Sequence, residues 1–92
     1  MTVIDLTPDI VRLQINNFIE IESFFQGKAW NLDNFLLELK SKWEYSIGLI
    51  NDNNIVGYII ASSKEDFIHI HRFAIKNELK NLRIRFLITV LF

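Results

Sequence analysis

Two histidines, His69 and His71, stand two residues apart in a segment whose alternating pattern predicts a β-strand. Side chains two residues apart on a strand point to the same face, so the two imidazoles should lie side by side. Such a pair can bind zinc, but a zinc site needs a third protein ligand, and the sequence points to none. We therefore expect no metal site, and we expect strand packing or surface exposure for both rings.

A second group of side chains that could do chemistry is basic and lies late in the chain, at Arg72, Lys76, Lys80, Arg83 and Arg85. This basic cluster suits an anionic ligand, although charges spaced in this way also commonly face solvent. The formal net charge of the whole chain is -1. Nucleic-acid binding requires a basic excess to neutralise phosphates, so we expect no nucleic-acid partner.

The chain has 92 residues and no cysteine, so it contains neither a disulfide nor a thiolate nucleophile. The absence of cysteine fits a reducing compartment. No apolar run reaches the roughly 20 residues that cross a bilayer, and the first ten residues lack the basic region of a signal peptide. We expect one domain over residues 1–92, located in the cytoplasm and without a membrane partner.

The first half of the chain predicts one strand followed by two helices. Residues 2–6 alternate in the manner of a short strand. Residues 7–27 start with the Thr-Pro-Asp combination typical of a helix N-terminus and then carry an apolar stripe at helical spacing. Its late carboxylates, Glu20 and Glu22, are expected on a solvated helix face. A second helix should start at Asn31 and end near residue 42.

The second half predicts a three-stranded antiparallel meander. Residues 45–50 and 55–61 alternate with a period of two, and the Asn- and Asp-rich segment between them favours a tight turn. A polar turn at residues 62–66 leads to a third strand at residues 67–75, and a C-terminal helix should follow. The order strand, helix, helix, meander, helix indicates an α+β fold, with helices packed on a mostly antiparallel sheet.

Three segments taken in this order resemble the GNAT superfamily of N-acetyltransferases: Asn54–Ile60, Ile70–Ile75 and Glu78–Arg85. The resemblance is closest to members like the ribosomal-protein-alanine N-acetyltransferases and covers the N-terminal portion of the family domain. It implies acetyl-CoA as the co-substrate, no metal, and transfer of an acetyl group to a primary amine. The acceptor would be a protein N-terminus or a small molecule.

The resemblance also implies roles for particular positions. Main-chain groups of Phe73, Ala74 and Ile75 would pair with the pantetheine arm, much as an added strand would. The following loop would wrap the pyrophosphate with backbone amides; it comprises Lys80, Asn81, Leu82, Arg83, Ile84 and Arg85. Lys80 keeps the positive charge of the family pattern, whereas Arg83 and Arg85 stand where the family has glycines. His71 is the candidate base for the acceptor amine.

Residues 86–92 are almost wholly apolar and show no polar face. The family domain would continue with a fifth strand, another helix and a final hairpin. We therefore expect an N-acetyltransferase or a truncated or frameshifted, inactive remnant of one. The alternative is a non-catalytic α+β interaction module that forms a homodimer through its apolar tail.

Overall fold

The computed structural model describes residues 1–79, which form an α+β fold around a four-stranded antiparallel sheet. The elements in chain order are β1 (Thr2–Asp5), α1 (Pro8–Leu13), α2 (Ile15–Glu22), α3 (Leu32–Leu36), α4 (Lys42–Tyr45), β2 (Ile47–Asn51), β3 (Asn54–Lys64), β4 (Phe67–Ile75) and a 3-10 turn (Asn77–Leu79). The strand order in the sheet is β1-β2-β3-β4. The predicted fold class, first strand and meander are confirmed. The predicted C-terminal helix lies outside the described residues.

Two tight turns connect the three strands of the meander. Asp52 and Asn53 both adopt positive φ, 52° and 65°, as the two central residues of a type I′ hairpin require. Glu65, with φ of 55°, opens the second turn. This turn is shorter than the polar turn predicted at residues 62–66, because residues 62–64 continue β3 and pair with β4.

The helix predicted over residues 7–27 is instead two helices, and it ends earlier than expected. Its start is as predicted, since the Thr7 hydroxyl accepts a hydrogen bond from the Ile10 amide at 3.1 Å. The break falls at Gln14, whose amide group reaches the β2–β3 turn: it donates to the Asn53 carbonyl at 2.9 Å and accepts from the Ile55 amide at 3.1 Å. These bonds stabilise the break, and the apolar stripe alone gave no sign of them.

The second helical region also ends sooner than predicted. Its start at Asn31 is confirmed by a capping box, in which the side chains of Asn31 and Asn34 each accept from the other's backbone amide. The helix then stops at Leu36, because the Lys42 ammonium donates to the carbonyls of Phe35 and Leu37 at 2.5 and 2.7 Å. Lys42 is buried, so its charge stays inside the fold by satisfying the open end of α3.

The helices cover one face of the sheet, and aromatic rings fill the space between the two layers. Phe18 of α2 stacks on Tyr58 of β3 at 4.8 Å between ring centroids and meets Phe35 of α3 edge-on at 5.0 Å. Trp30 packs edge-on against Phe35 at 5.1 Å. Rings at these separations and angles add attraction beyond simple burial, which fixes α2 and α3 relative to β3. In the part of the chain described, no helix combines the length and apolar character that crossing a bilayer requires.

Candidate functional site

A cleft of about 390 Å³ lies between the end of α2 and the C-terminal half of β4. Its lining is apolar apart from one amide side chain. It consists of Ile21, Phe24, Phe25 and Gln26 on the helix side and of Phe73, Ala74 and Ile75 on the strand side. The structure therefore places the three residues predicted to contact pantetheine together, along one wall of a cleft. Ligand pockets in proteins range from about 300 to 1,000 Å³, so the size suits a small extended molecule.

The strand wall of this cleft is the outer strand of the sheet in residues 1–79. The Lys76 amide donates to the Val56 carbonyl of β3 at 2.7 Å. This bond shows which residues in this part of β4 direct their backbone groups towards β3. Backbone groups alternate sides along an antiparallel strand, so Ala74 also bonds towards β3. The amides and carbonyls of Phe73 and Ile75 therefore point to the outer edge of the sheet. An extended ligand can pair with them there.

A bulge separates this part of β4 from the histidines. Ile60 of β3 pairs with Arg72, and the next residue, Ala61, pairs with Ile70, so His71 is the extra residue of the bulge. His71 therefore does not line the cleft. Its Nε2 atom lies 2.6 Å from the Ser62 hydroxyl, and its ring lies edge-on to His69 at 4.4 Å between centroids. The two rings are side by side, as predicted. They lie next to Ser62 of β3 and not next to the three cleft residues of β4.

Burial lowers the pKa of His71, and electrostatic repulsion from the neighbouring His69, Lys42 and Lys64 lowers it further. The ring is consequently neutral near pH 7. Among residues 1–79, no group of three or more His, Asp or Glu side chains is arranged to hold a metal ion.

Glu22 forms the polar centre next to the cleft, and the prediction of a solvated helix face is wrong for it. Its side chain is only 1% exposed. Its carboxylate accepts hydrogen bonds from the Trp30 amide at 2.7 Å, from Arg72 Nη2 at 2.5 Å, from Arg72 Nε at 3.2 Å and from the Tyr58 hydroxyl. A charge can remain buried in this way because its hydrogen-bonding capacity is filled and an opposite charge is in contact.

Arg72 is the partner of this carboxylate and is not a free surface charge. Its guanidinium lies over the Phe25 ring at 3.5 Å and 5.1 Å from the centre of the Trp30 ring, and it donates to the Lys28 carbonyl at 2.8 Å. A planar guanidinium can stack and donate in several directions at once, which suits an arginine between two aromatic rings. Of the predicted basic cluster, Lys80, Arg83 and Arg85 lie outside the described residues, as do the other predicted loop positions Asn81, Leu82 and Ile84.

The sequence gives no local signal for this network, because Glu22 is 36 residues from Tyr58 and 50 residues from Arg72. Burial would raise the pKa of Glu22, but the hydrogen bonds from Arg72, Tyr58 and Trp30 outweigh it and hold the pKa below its usual value. Burial, followed by the bond to Glu22, raises the pKa of Tyr58 far above its usual range. The phenol therefore stays protonated and donates to the carboxylate.

The lowered pKa of Glu22 predicts an acid-induced loss of stability. The folded-state pKa lies below the usual 4.5, so the unfolded chain takes up the proton first, and stability should fall as the pH drops from 4.5 through the folded value. Urea unfolding at a series of pH values measures the slope of the free energy of unfolding against pH. The double variant Glu22→Leu/Arg72→Met should lose it, whereas Glu20→Gln, a change on the same helix, should keep it. An unchanged slope in the double variant would contradict the assignment.

A second loss of stability should occur at higher pH and arise from His71. Its folded-state pKa lies below the usual 6.5, so stability present above pH 6.5 should decline as the pH falls from there through the folded value. His71→Asn removes the titrating group and keeps an amide for Ser62, so the decline should vanish. His69→Asn retains His71 and should retain a decline. The same urea experiment between pH 7 and 5 tests both variants, and a decline that persists without His71 would refute this origin.

Comparison with known proteins leaves the family open. No protein-family model matches the chain, and a search of curated proteins finds no significant match. The features of the molecule that bear on function are therefore the cleft, the outer edge of β4 and the residues that hold them.

Proposed function

We propose that the chain binds an acyl-CoA thioester along the outer edge of β4 and transfers its acetyl group to a primary amine. The observation that carries this proposal is the position of Phe73, Ala74 and Ile75 on one wall of the 390 Å³ cleft. The outward backbone groups of Phe73 and Ile75 provide donors and acceptors for the two amide groups of a pantetheine arm. The rings of Phe24 and Phe25 on the opposite wall offer apolar contact to the arm.

In the proposed reaction, the amine nitrogen attacks the thioester carbonyl carbon. A carbon–nitrogen bond forms, the carbon–sulfur bond breaks, and coenzyme A leaves as a thiol after the amine has lost a proton. The chain contributes by positioning the thioester and by offering an outward strand amide to the developing oxyanion. No ionisable side chain is among the residues that line the cleft in the described structure. In the proposed reaction, water therefore takes the proton from the amine nitrogen and returns one to the departing thiolate. The role of His71 as a base stays a prediction.

The remaining parts of the proposal follow from the resemblance. Residues 80–85 would contact the pyrophosphate, and their arginines offer charge-assisted hydrogen bonds in place of a glycine-rich backbone cradle. The acceptor would be a protein N-terminus or a small amine. We propose a cytoplasmic location, which subcellular fractionation tests.

Calorimetric titration with acetyl-CoA and with pantetheine tests the proposal, and two matched phenylalanines on β4 sharpen it. Phe73 lines the cleft and is 39% exposed, whereas Phe67, at the other end of the strand, is 54% exposed and lies outside the cleft. We expect Phe73→Ala to weaken pantetheine binding about tenfold, which corresponds to about 1.4 kcal/mol. Phe67→Ala should bind like the wild type. Equal affinities for the two variants, or no binding by the wild type, would contradict the proposed site.

A second candidate function is self-association without catalysis, and the N-terminal half of β4 favours it. Phe67, Ile68 and Ile70 are 54%, 53% and 44% exposed, so this half of the strand presents large apolar side chains to solvent. Apolar surface of this kind often marks an interaction surface, and an outer strand can pair with a copy of itself.

Sedimentation velocity from micromolar to near-millimolar concentration tests this second function. If it is correct, the wild type forms a dimer as the concentration rises, and Ile68→Lys stays monomeric because a charge then has to be buried. Glu65→Lys, which places a lysine in the adjacent turn and raises the net charge by two units instead of one, is the control and should still dimerise. A monomer over the whole range would exclude the second function.

A further inference from the structure

Most of the cleft wall opposite β4 belongs to a segment without regular secondary structure, residues 23–31 between α2 and α3. Phe24, Phe25 and Gln26 line the cleft from this segment, and all three are exposed. The Phe24 and Phe25 amides still donate to the Ile21 and Glu22 carbonyls of α2 at 3.2 and 2.9 Å, but residues 26–30 make no backbone–backbone hydrogen bond within the described structure. The shape of the cleft therefore depends also on the side-chain contacts that hold this segment, and residues 26–31 in particular, against the sheet.

Arg72 supplies contacts along the length of this segment. Its Nη2 atom donates to the Lys28 carbonyl at 2.8 Å, in the middle of the segment. The same guanidinium lies 3.5 Å over the ring of Phe25, which forms part of the cleft wall, and 5.1 Å from the Trp30 ring near the segment's end. One side chain of β4 therefore contacts the segment at three places, each of which depends on the planar guanidinium.

Glu22 fixes the guanidinium in that position. Two of its hydrogen bonds come from Arg72 Nε and Nη2, and a third comes from the Trp30 amide at 2.7 Å. The carboxylate thus holds both the arginine and the far end of the segment. Because the side chain of Glu22 is 1% exposed and that of Arg72 only 10% exposed, water competes little for these bonds.

We infer that Arg72 is a positioning residue for ligand binding, which holds residues 23–31 as the wall of the cleft while the adjacent Phe73 lines the opposite wall. The identity of the ligand in this inference rests on the proposed function, whereas the anchoring of the segment does not. Lysine in place of Arg72 keeps a positive charge for Glu22 but loses the stacked plane and the additional donors. The substitution therefore separates charge balance from positioning.

The test uses the full chain in a Trp43→Phe background, so that Trp30 is the sole tryptophan and reports on the segment. We expect Arg72→Lys to shift Trp30 emission to the red and to raise amide exchange in residues 23–31. Its affinity for pantetheine, measured by calorimetry, should fall about tenfold. Arg12→Lys, which alters an exposed ion pair on α1, should change none of these.

General destabilisation is excluded by a second variant. Val11→Ala removes buried apolar contact in α1, away from the cleft, and lowers the free energy of unfolding. It should leave Trp30 emission, exchange in the segment and pantetheine affinity as in the wild type. The same losses in Val11→Ala as in Arg72→Lys would overturn the inference.

The outcomes also separate this inference from the proposed function. Wild-type binding with unchanged emission, exchange and affinity in Arg72→Lys overturns the positioning role and leaves the acyl-CoA site standing. No binding by the wild type refutes the acyl-CoA site and with it the ligand half of the inference. In that case the emission and exchange of Arg72→Lys alone support or overturn the anchoring of the segment.

Discussion

The buried ion pair between Glu22 and Arg72 joins the end of α2 to β4, and much of the molecule around the cleft depends on it. Two charges buried this deeply require nearly complete hydrogen bonding, and Tyr58 and the Trp30 amide complete it. The same contacts determine where α2 ends and where the following segment runs. Loss of either charged partner would leave an unpaired charge inside the fold, which is strongly destabilising.

Two further polar side chains act in a similar way at other helix ends. Gln14 bonds to the β2–β3 turn at the junction of α1 and α2, and Lys42 satisfies carbonyls at the end of α3. Each of these residues links a helix terminus to a part of the chain outside that helix. The helices are short, so their positions come from these polar contacts and from the aromatic layer around Phe18 and Phe35.

The bulge at His71 divides β4 into two parts with different properties. The part after the bulge carries the outward backbone groups of Phe73 and Ile75 and lies beside a cleft with an aromatic wall. The part before it carries exposed apolar side chains and His69, whose ring packs against that of His71. The proposed ligand, extended and partly apolar with amide groups, would bind along the part after the bulge. Binding of such a ligand and association of two chains would therefore use different halves of one strand.

The sequence by itself determined the α+β class, the meander with its two turns, and the helix starts at Thr7 and Asn31, because these depend on local periodicity, turn chemistry and capping. Phe73, Ala74 and Ile75 were also identified from the sequence as a likeness to a known pattern, and the fold places them on a cleft. The helix ends, the bulge and the burial of Glu22 were decided by the tertiary structure alone. Each depends on partners far away in the chain, such as Arg72 for Glu22. A local sequence pattern carries no information about contacts between distant residues.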